Sequence, residues 1–334
     1  MDALPVSSLS DSLGRTIRYL RLSVTDRCNL QCVYCRDGLE TFVPHESILR
    51  YEEMEQLVGL AVSLGVNKLR LTGGEPFVRR GFLDFLERLR DRYPTLDIRL
   101  TSNGTLLGPA VSRLKALGIN GVNLSLDTFD RKTFERITGK DLLPQVLESM
   151  HTMLQAELPF KINVVGMQGI NDSELPVFID YALNNPVEVR FIEFMPMGEG
   201  TCWSSRIFWK GEAILAAVRK HCQVDFLKDT GAPARSYRLV KGDRQGKMGL
   251  ISPVSQHFCA SCNRLRLTAE GSLRTCLYDD REYRLREVLR HPRLGLPAVR
   301  RILILAVLHK PFGWRLLEKR LGAVASRRMH AIGG

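Results

Sequence analysis

Apolar and polar residues alternate one by one in short runs along the first two thirds of the chain. The runs are 17–24 (IRYLRLSV), 67–72 (NKLRLT), 97–101 (DIRLT), 121–126 (GVNLSL), 160–166 (FKINVVG) and 187–193 (VEVRFIE). A period of two is the mark of a β-strand with unlike faces. Between them, near 50–64, 81–92, 108–118, 141–156 and 173–184, the apolar spacing lengthens to that of helices. Six strand–helix units in succession predict a parallel sheet with right-handed crossovers, either doubly wound or a partial barrel.

The polar positions choose between the two. Strands buried on both faces read apolar throughout, and these do not. Leu20, Leu22 and Val24 share one face of the first run, and Arg21 and Ser23 share the other. The same division sets Arg70 with Thr72, Arg99 with Thr101, Asn123 with Ser125, and Lys161 with Asn163. A packed barrel interior is filled by Val, Ile and Leu, so a polar inner face predicts an open barrel with a polar lumen. An antiparallel sheet with one wet face competes, but the long helical connections oppose it. Beyond about residue 225 the runs shorten, to 236–240, 247–251 and 264–268, and helices follow. The predicted fold is α/β: a partial (β/α)6 TIM-like barrel over 1–225, closed by a smaller α+β C-terminal region over 226–334.

Composition adds limits. The 334 residues are 44% hydrophobic and 25% charged, the balance of an ordinary globular protein. The start of the chain has no pattern of charge, apolar run and small-residue cleavage site. The longest apolar run, ILILAVL at 302–308, is too short to span a bilayer and predicts a core helix. A cytoplasmic location follows as the expectation, and there clustered thiols point to metal or catalysis. The net charge of +12 is uneven: 13 Lys/Arg against 3 Asp/Glu from Arg281 onward leave +2 for the first 280 residues. Such a tail is a solvated face, a site for a polyanionic small ligand, or a nucleic-acid contact.

Chemistry gathers after the strands. The stretch SVTDRCNLQCVYCRDG follows the first, TGGEP (72–76) the second, TSNG (101–104) the third, SLD (125–127) the fourth and EFMPMG (193–198) the sixth. Parallel α/β proteins carry their sites at these carboxyl ends. Cys28, Cys32 and Cys35 have the spacing C-x3-C-x2-C, which suits three corners of a [4Fe–4S] cube; a zinc loop borrowing a distant fourth ligand is the other reading. Cys259, Cys262 and Cys276 repeat the count of three as C-x2-C-x13-C, with zinc plus His257 as the alternative. Cys202 and Cys222 belong to neither set and read as core thiols. Arg264 and Arg266 share a strand face in NRLRL. With Arg21, Arg70 and Lys161 they would line the lumen with cations, which demands an anion or pairing carboxylates. The glycines of TGGEP permit a close backbone approach to a ligand, and Glu75 is placed to accept from an amine.

These residues resemble the radical S-adenosylmethionine superfamily, through the three clustered cysteines, Tyr34 among them, and Gly73-Gly74-Glu75-Pro76. More narrowly the chain resembles the GTP 3′,8-cyclase family of molybdenum-cofactor biosynthesis. LRLSVTDRCNLQCVYC, KLRLTGGEP, TSNG, NLSLD, KINVV, RFIEFMPMG, ISPVSQHFCASCNRLRLTAEG and the terminal IGG carry that likeness. The resemblance implies two [4Fe–4S] clusters, one on each cysteine set. The free iron of the first takes S-adenosylmethionine, contacted by Tyr34, Gly74, Ser125 and Met195. One-electron reduction then releases an adenosyl radical that takes the ribose 3′ hydrogen of GTP. It implies Arg21, Arg70, Thr101, Lys161, Arg264 and Arg266 as GTP contacts, with Arg21, Arg264 and Arg266 in catalytic roles, and Gly333-Gly334 as a tail reaching the site. Implied partners are GTP, a flavodoxin-type electron donor, a downstream cyclic pyranopterin monophosphate synthase and a second copy in a homodimer, with neither membrane nor nucleic acid.

Three departures stand out. Arg36-Asp37 replaces the common Met-Pro, APAR (232–235) replaces GPAR, and KPFGW (310–314) lacks the usual histidine after Lys-Pro. The basic tail is left without a ligand. Two other functions compete: a peptide-modifying radical enzyme, which predicts a groove without a cationic lumen, and a zinc-containing nucleic-acid binder, which predicts aromatic stacking platforms.

Overall fold

Each strand's apolar face finds a helix, and its polar face is left for the interior of the barrel. The computed structural model describes residues 8–35, 42–198, 201–227, 231–319 and 329–332. Within them one 12-stranded sheet holds the molecule together. In chain order its strands are β1 (Tyr19–Ser23), β2 (Lys68–Thr72), β3 (Asp97–Ser102), β4 (Gly121–Ser125), β5 (Phe160–Gly166) and β6 (Glu188–Glu193). After these come β7 (Gln223–Phe226), β8 (Arg235–Lys241), β9 (Arg244–Ile251), β10 (Arg264–Leu267), β11 (Ser272–Arg274) and β12 (Tyr283–Arg284). Across the sheet the order is β12-β11-β10-β1-β2-β3-β4-β5-β6-β9-β8-β7.

The six parallel strands β1 to β6 form the expected partial barrel. The strands beyond residue 225 extend this sheet at both edges. β10 pairs parallel with β1, and β9 pairs parallel with β6, before antiparallel strands finish each side. Residues distant in sequence thereby flank the first strand with the second cysteine region.

On the outer face Leu20, Leu22, Leu69, Leu71, Ile98, Leu100, Val122, Leu124, Ile162 and Val164 are buried beneath helices. Each contributes roughly 1.5–3 kcal/mol by leaving water. The expected helices are present at Tyr51–Ser63, Phe82–Arg92, Val111–Ala116, Leu143–Gln155 and Leu175–Asn184. Two more, Arg131–Thr138 and Gly211–Val218, add to them. The run at 302–308 lies in the helix Gly295–Leu308, but only one side of it is core. Val299, Leu303, Ala306 and Val307 are buried, while Leu305 and Leu308 are 54% and 40% exposed. Among the described residues no helix is long and apolar enough to cross a membrane.

Candidate active site

Register builds the lumen in rows. Parallel pairing sets Arg266, Arg21, Arg70 and Arg99 side by side across β10, β1, β2 and β3. One step along the strands, Arg264, Tyr19, Lys68 and Asp97 form a second row. Thr101, Asn123, Lys161 and Glu188 form a third across β3 to β6. The rows surround a cavity of about 670 Å³. Both cysteine sets line it, with Tyr34, Gly74, Ser125 and Met195 and the six polar residues from Arg21 to Arg266, whereas Glu75 and His257 do not. Ser23 does not; it is buried below the loop, its hydroxyl donating to the Thr25 carbonyl.

The cations divide into two groups. Lys161 and Arg190 share the Glu188 carboxylate, and Lys68 and Arg99 share that of Asp97. Among the described residues Arg70, Arg264 and Arg266 have no carboxylate partner. Arg70 donates instead to the Tyr19 hydroxyl at 2.6 Å and the Leu100 carbonyl at 2.8 Å. Burial and the neighbouring Arg264 lower Arg266 to about 10. Burial, then Arg266, lowers Arg21 well below its ordinary value. Three buried polar atoms facing this space, Thr101 Oγ1, Asn163 Oδ1 and one terminal nitrogen of Arg266, have no hydrogen-bond partner. Such atoms are costly unless a ligand satisfies them.

Tyr19, Lys68 and Arg190 were missed in the sequence. Tyr19 and Lys68 lie two positions from Arg21 and Arg70, so extending the alternation would have found them; Arg190 lies on a strand for which no inner face had been assigned. Burial would raise the Tyr19 phenol, but Arg70, Arg21 and Arg264 outweigh it and bring it down to about 8.

Glycine locks the first cysteine loop to TGGEP. The backbone nitrogens of Gly74 and Glu75 donate to the Thr25 and Arg27 carbonyls, each at 2.8 Å. A Cβ on Gly74 would stand 2.2 Å from the Arg27 oxygen. The close approach expected of these glycines is therefore to the cysteine loop itself. Glu75 is likewise not free for an amine. Its carboxylate, fully buried, accepts from the Phe77 and Asn103 backbone nitrogens and the Ser102 hydroxyl. It ties the loops after β2 and β3 together, and burial holds it up at about 7 against those three donors. Tyr34 donates to Asp127 at 2.5 Å, and Asp127 in turn accepts from the Val165 nitrogen at 2.8 Å.

The donor chemistry fits two thiol-held clusters. Each set supplies three cysteines to the same cavity. Burial, then Cys35 and Asp127, pushes the Cys32 thiol well up, so a thiolate there calls for a cationic occupant such as iron. At the second set burial is outweighed by Arg264 and Lys310, which hold Cys262 down to about 6. His257 does not line the cavity with it; its Nδ1 lies 3.0 Å from the Pro253 carbonyl oxygen, and the ring stacks on Trp314. Cys222 is half-buried, but Cys202 is exposed rather than a core thiol. Arg36-Asp37 and Gly333-Gly334 lie outside the described residues. The turn before the terminal glycines is described, with Ile332 buried against Met197 and Tyr278.

Comparison with known proteins decides the family. Residues 22–182 match the radical SAM superfamily, and 187–316 match a family described as Molybdenum Cofactor Synthesis C. A GTP 3′,8-cyclase of Syntrophomonas wolfei is 40% identical over 97% of this chain and 99% of its own. The chain belongs to the GTP 3′,8-cyclase family. Another member, from Heliobacterium modesticaldum, is 42% identical over 97% of this chain and 99% of its own. Among solved structures, Streptococcus suis SuiB bound to S-adenosylmethionine superposes with a TM-score of 0.61 over 84% of this chain and 67% of that one. At 13% identity it shares the fold alone.

Proposed function

We propose that this family member cyclises GTP to (8S)-3′,8-cyclo-7,8-dihydroguanosine 5′-triphosphate, the first step of molybdenum cofactor biosynthesis. The observation that carries the reading is one cavity with three thiols from each of two regions and a cationic wall holding orphaned polar atoms. A polyphosphate supplies the anion that Arg70, Arg264 and Arg266 lack, and Arg suits bidentate phosphate contacts.

In this reading Cys28, Cys32 and Cys35 hold a [4Fe–4S] cluster, and Tyr34, Gly74, Ser125 and Met195 orient S-adenosylmethionine beside it. Cys259, Cys262 and Cys276 hold a second. When bound, the first cluster and S-adenosylmethionine supply the one-electron chemistry. The chain's part is orientation and exclusion of water. Arg70, Thr101 and Lys161 fix the nucleotide, while Arg21, Arg264 and Arg266 bring positive charge to the reacting end. Lys161 shares Glu188 with Arg190, so part of its charge stays available to the substrate. Reduced thiols suit a cytoplasmic setting, with a flavodoxin-type donor, a downstream cyclic pyranopterin monophosphate synthase and a homodimeric partner.

The test is anaerobic reconstitution with iron and sulfide, then incubation with reductant, S-adenosylmethionine and GTP. Both 5′-deoxyadenosine and a cyclised guanosine triphosphate are expected. Absence of both overturns the proposal.

A further inference from the structure

The segment KPFGW has no part in the reading above, yet it packs against the second cysteine set. We propose that Lys310 is a positioning residue for that set, clamping the segments that carry Cys262 and Cys276, with residues 311–314 as the wall behind them. The inference rests on reading Cys259, Cys262 and Cys276 as an iron–sulfur site.

Lys310 is 3% exposed. Its ammonium donates to the Arg264 carbonyl at 2.8 Å and to the Thr275 carbonyl. Arg264 stands two residues beyond Cys262, and Thr275 directly precedes Cys276. One cation therefore fixes two strands of the site to each other. Arg15, itself buried and paired with Asp11, completes the bracket. It donates to the Cys259 carbonyl at 3.0 Å and to the Lys310 carbonyl at 2.7 Å. Between them these two side chains hold all three cysteine-bearing segments.

The remaining residues of the segment have matching duties. The Phe312 ring lies 4.9 Å beneath the Arg15 guanidinium. Gly313 must lack a side chain, because a Cβ there would stand 2.5 Å from the Cys276 sulfur. Trp314 stacks on His257, with ring centroids 5.6 Å apart. Among the described residues Lys310 has no carboxylate partner, and a buried ammonium is costly without a counter-charge. Thiolates bearing a cluster supply one.

The test uses the full chain with Cys28, Cys32 and Cys35 all replaced by alanine, so that only the second set takes up iron. After anaerobic reconstitution, retained iron and the midpoint potential are measured, the latter by spin-resonance titration. Lys310→Met is expected to lose most of that iron, or to keep it at a lowered potential, since an added electron is less stabilised without the cation. Gly313→Ala, which leaves Lys310 in place, is expected to lose iron by crowding Cys276. Unchanged iron and potential in a folded Lys310→Met chain overturn the inference. If that chain does not fold, full iron retention by Gly313→Ala overturns it instead. No iron uptake with Lys310 intact is a separate outcome, which refutes the cluster reading on which the inference stands.

Discussion

Tyr19 is expected to make GTP binding pH-dependent. Its hydroxyl accepts from Arg70 at 2.6 Å, and the charges of Arg70, Arg21 and Arg264 outweigh burial to lower the phenol from 10.0 to about 8. That net depression corresponds to about 3 kcal/mol in favour of the phenolate, left over after the cations have offset burial. A triphosphate drawing on the same cations removes the attraction and adds repulsion, so bound GTP favours the neutral phenol. By linkage, affinity is full well below pH 8 and declines as pH rises through it and the phenolate forms. With the phenol returned to its ordinary range in the complex, GTP should bind about tenfold more weakly at pH 9 than at pH 7. Equilibrium binding across that range, for the native chain and Tyr19→Phe, measures it. The guanine's own ionisation is common to both and cancels in the comparison. Tyr19→Phe should show a flatter profile, with the difference confined to the region above pH 7.5. Parallel profiles for the two proteins would refute the reasoning.

Replacing Cys259, Cys262 or Cys276 by alanine should spare S-adenosylmethionine binding at the first cluster and abolish GTP cyclisation. Assayed separately, ligand binding and product formation should split; normal cyclisation would end the proposed division between the two sets. Glu75 offers a stability test. Its carboxyl is raised from 4.5 to about 7 by burial, so the folded chain binds a proton that the unfolded chain releases. Its contribution is fully present below pH 4.5 and is lost as pH rises through 7, a change of about 3 kcal/mol. Urea unfolding at pH 5 and pH 8 should show that much less difference in Glu75→Gln than in the native chain.

Much of the barrel was legible because period-two alternation is local. Arg21, Arg70, Thr101 and Lys161 announced an inner face without any knowledge of their neighbours. Long-range pairing was not legible: nothing in RLRLT indicates that β10 joins β1, which is why Arg266 stands beside Arg21. Short strands such as β11 and β12 carry too few residues to display a period. The helix Arg131–Thr138 did have a signal. Asp130 accepts from the Thr133 nitrogen at its start, and Gly139 takes φ of 72° at its end. Glu75 was misjudged because its function lies in three loop donors whose convergence only the fold creates. The KPFGW segment was opaque for the same reason, since the Cys276 sulfur that excludes a Cβ at Gly313 comes from a separate part of the chain.

In the proposed reaction one cavity brings S-adenosylmethionine to the ribose of GTP. GTP deuterated at the ribose 3′ position, turned over by the reconstituted chain, tests it most directly by mass spectrometry of the 5′-deoxyadenosine formed. Deuterium is expected in that product, in step with cyclised nucleotide. Unlabelled 5′-deoxyadenosine, with deuterium retained in the nucleotide, would contradict it.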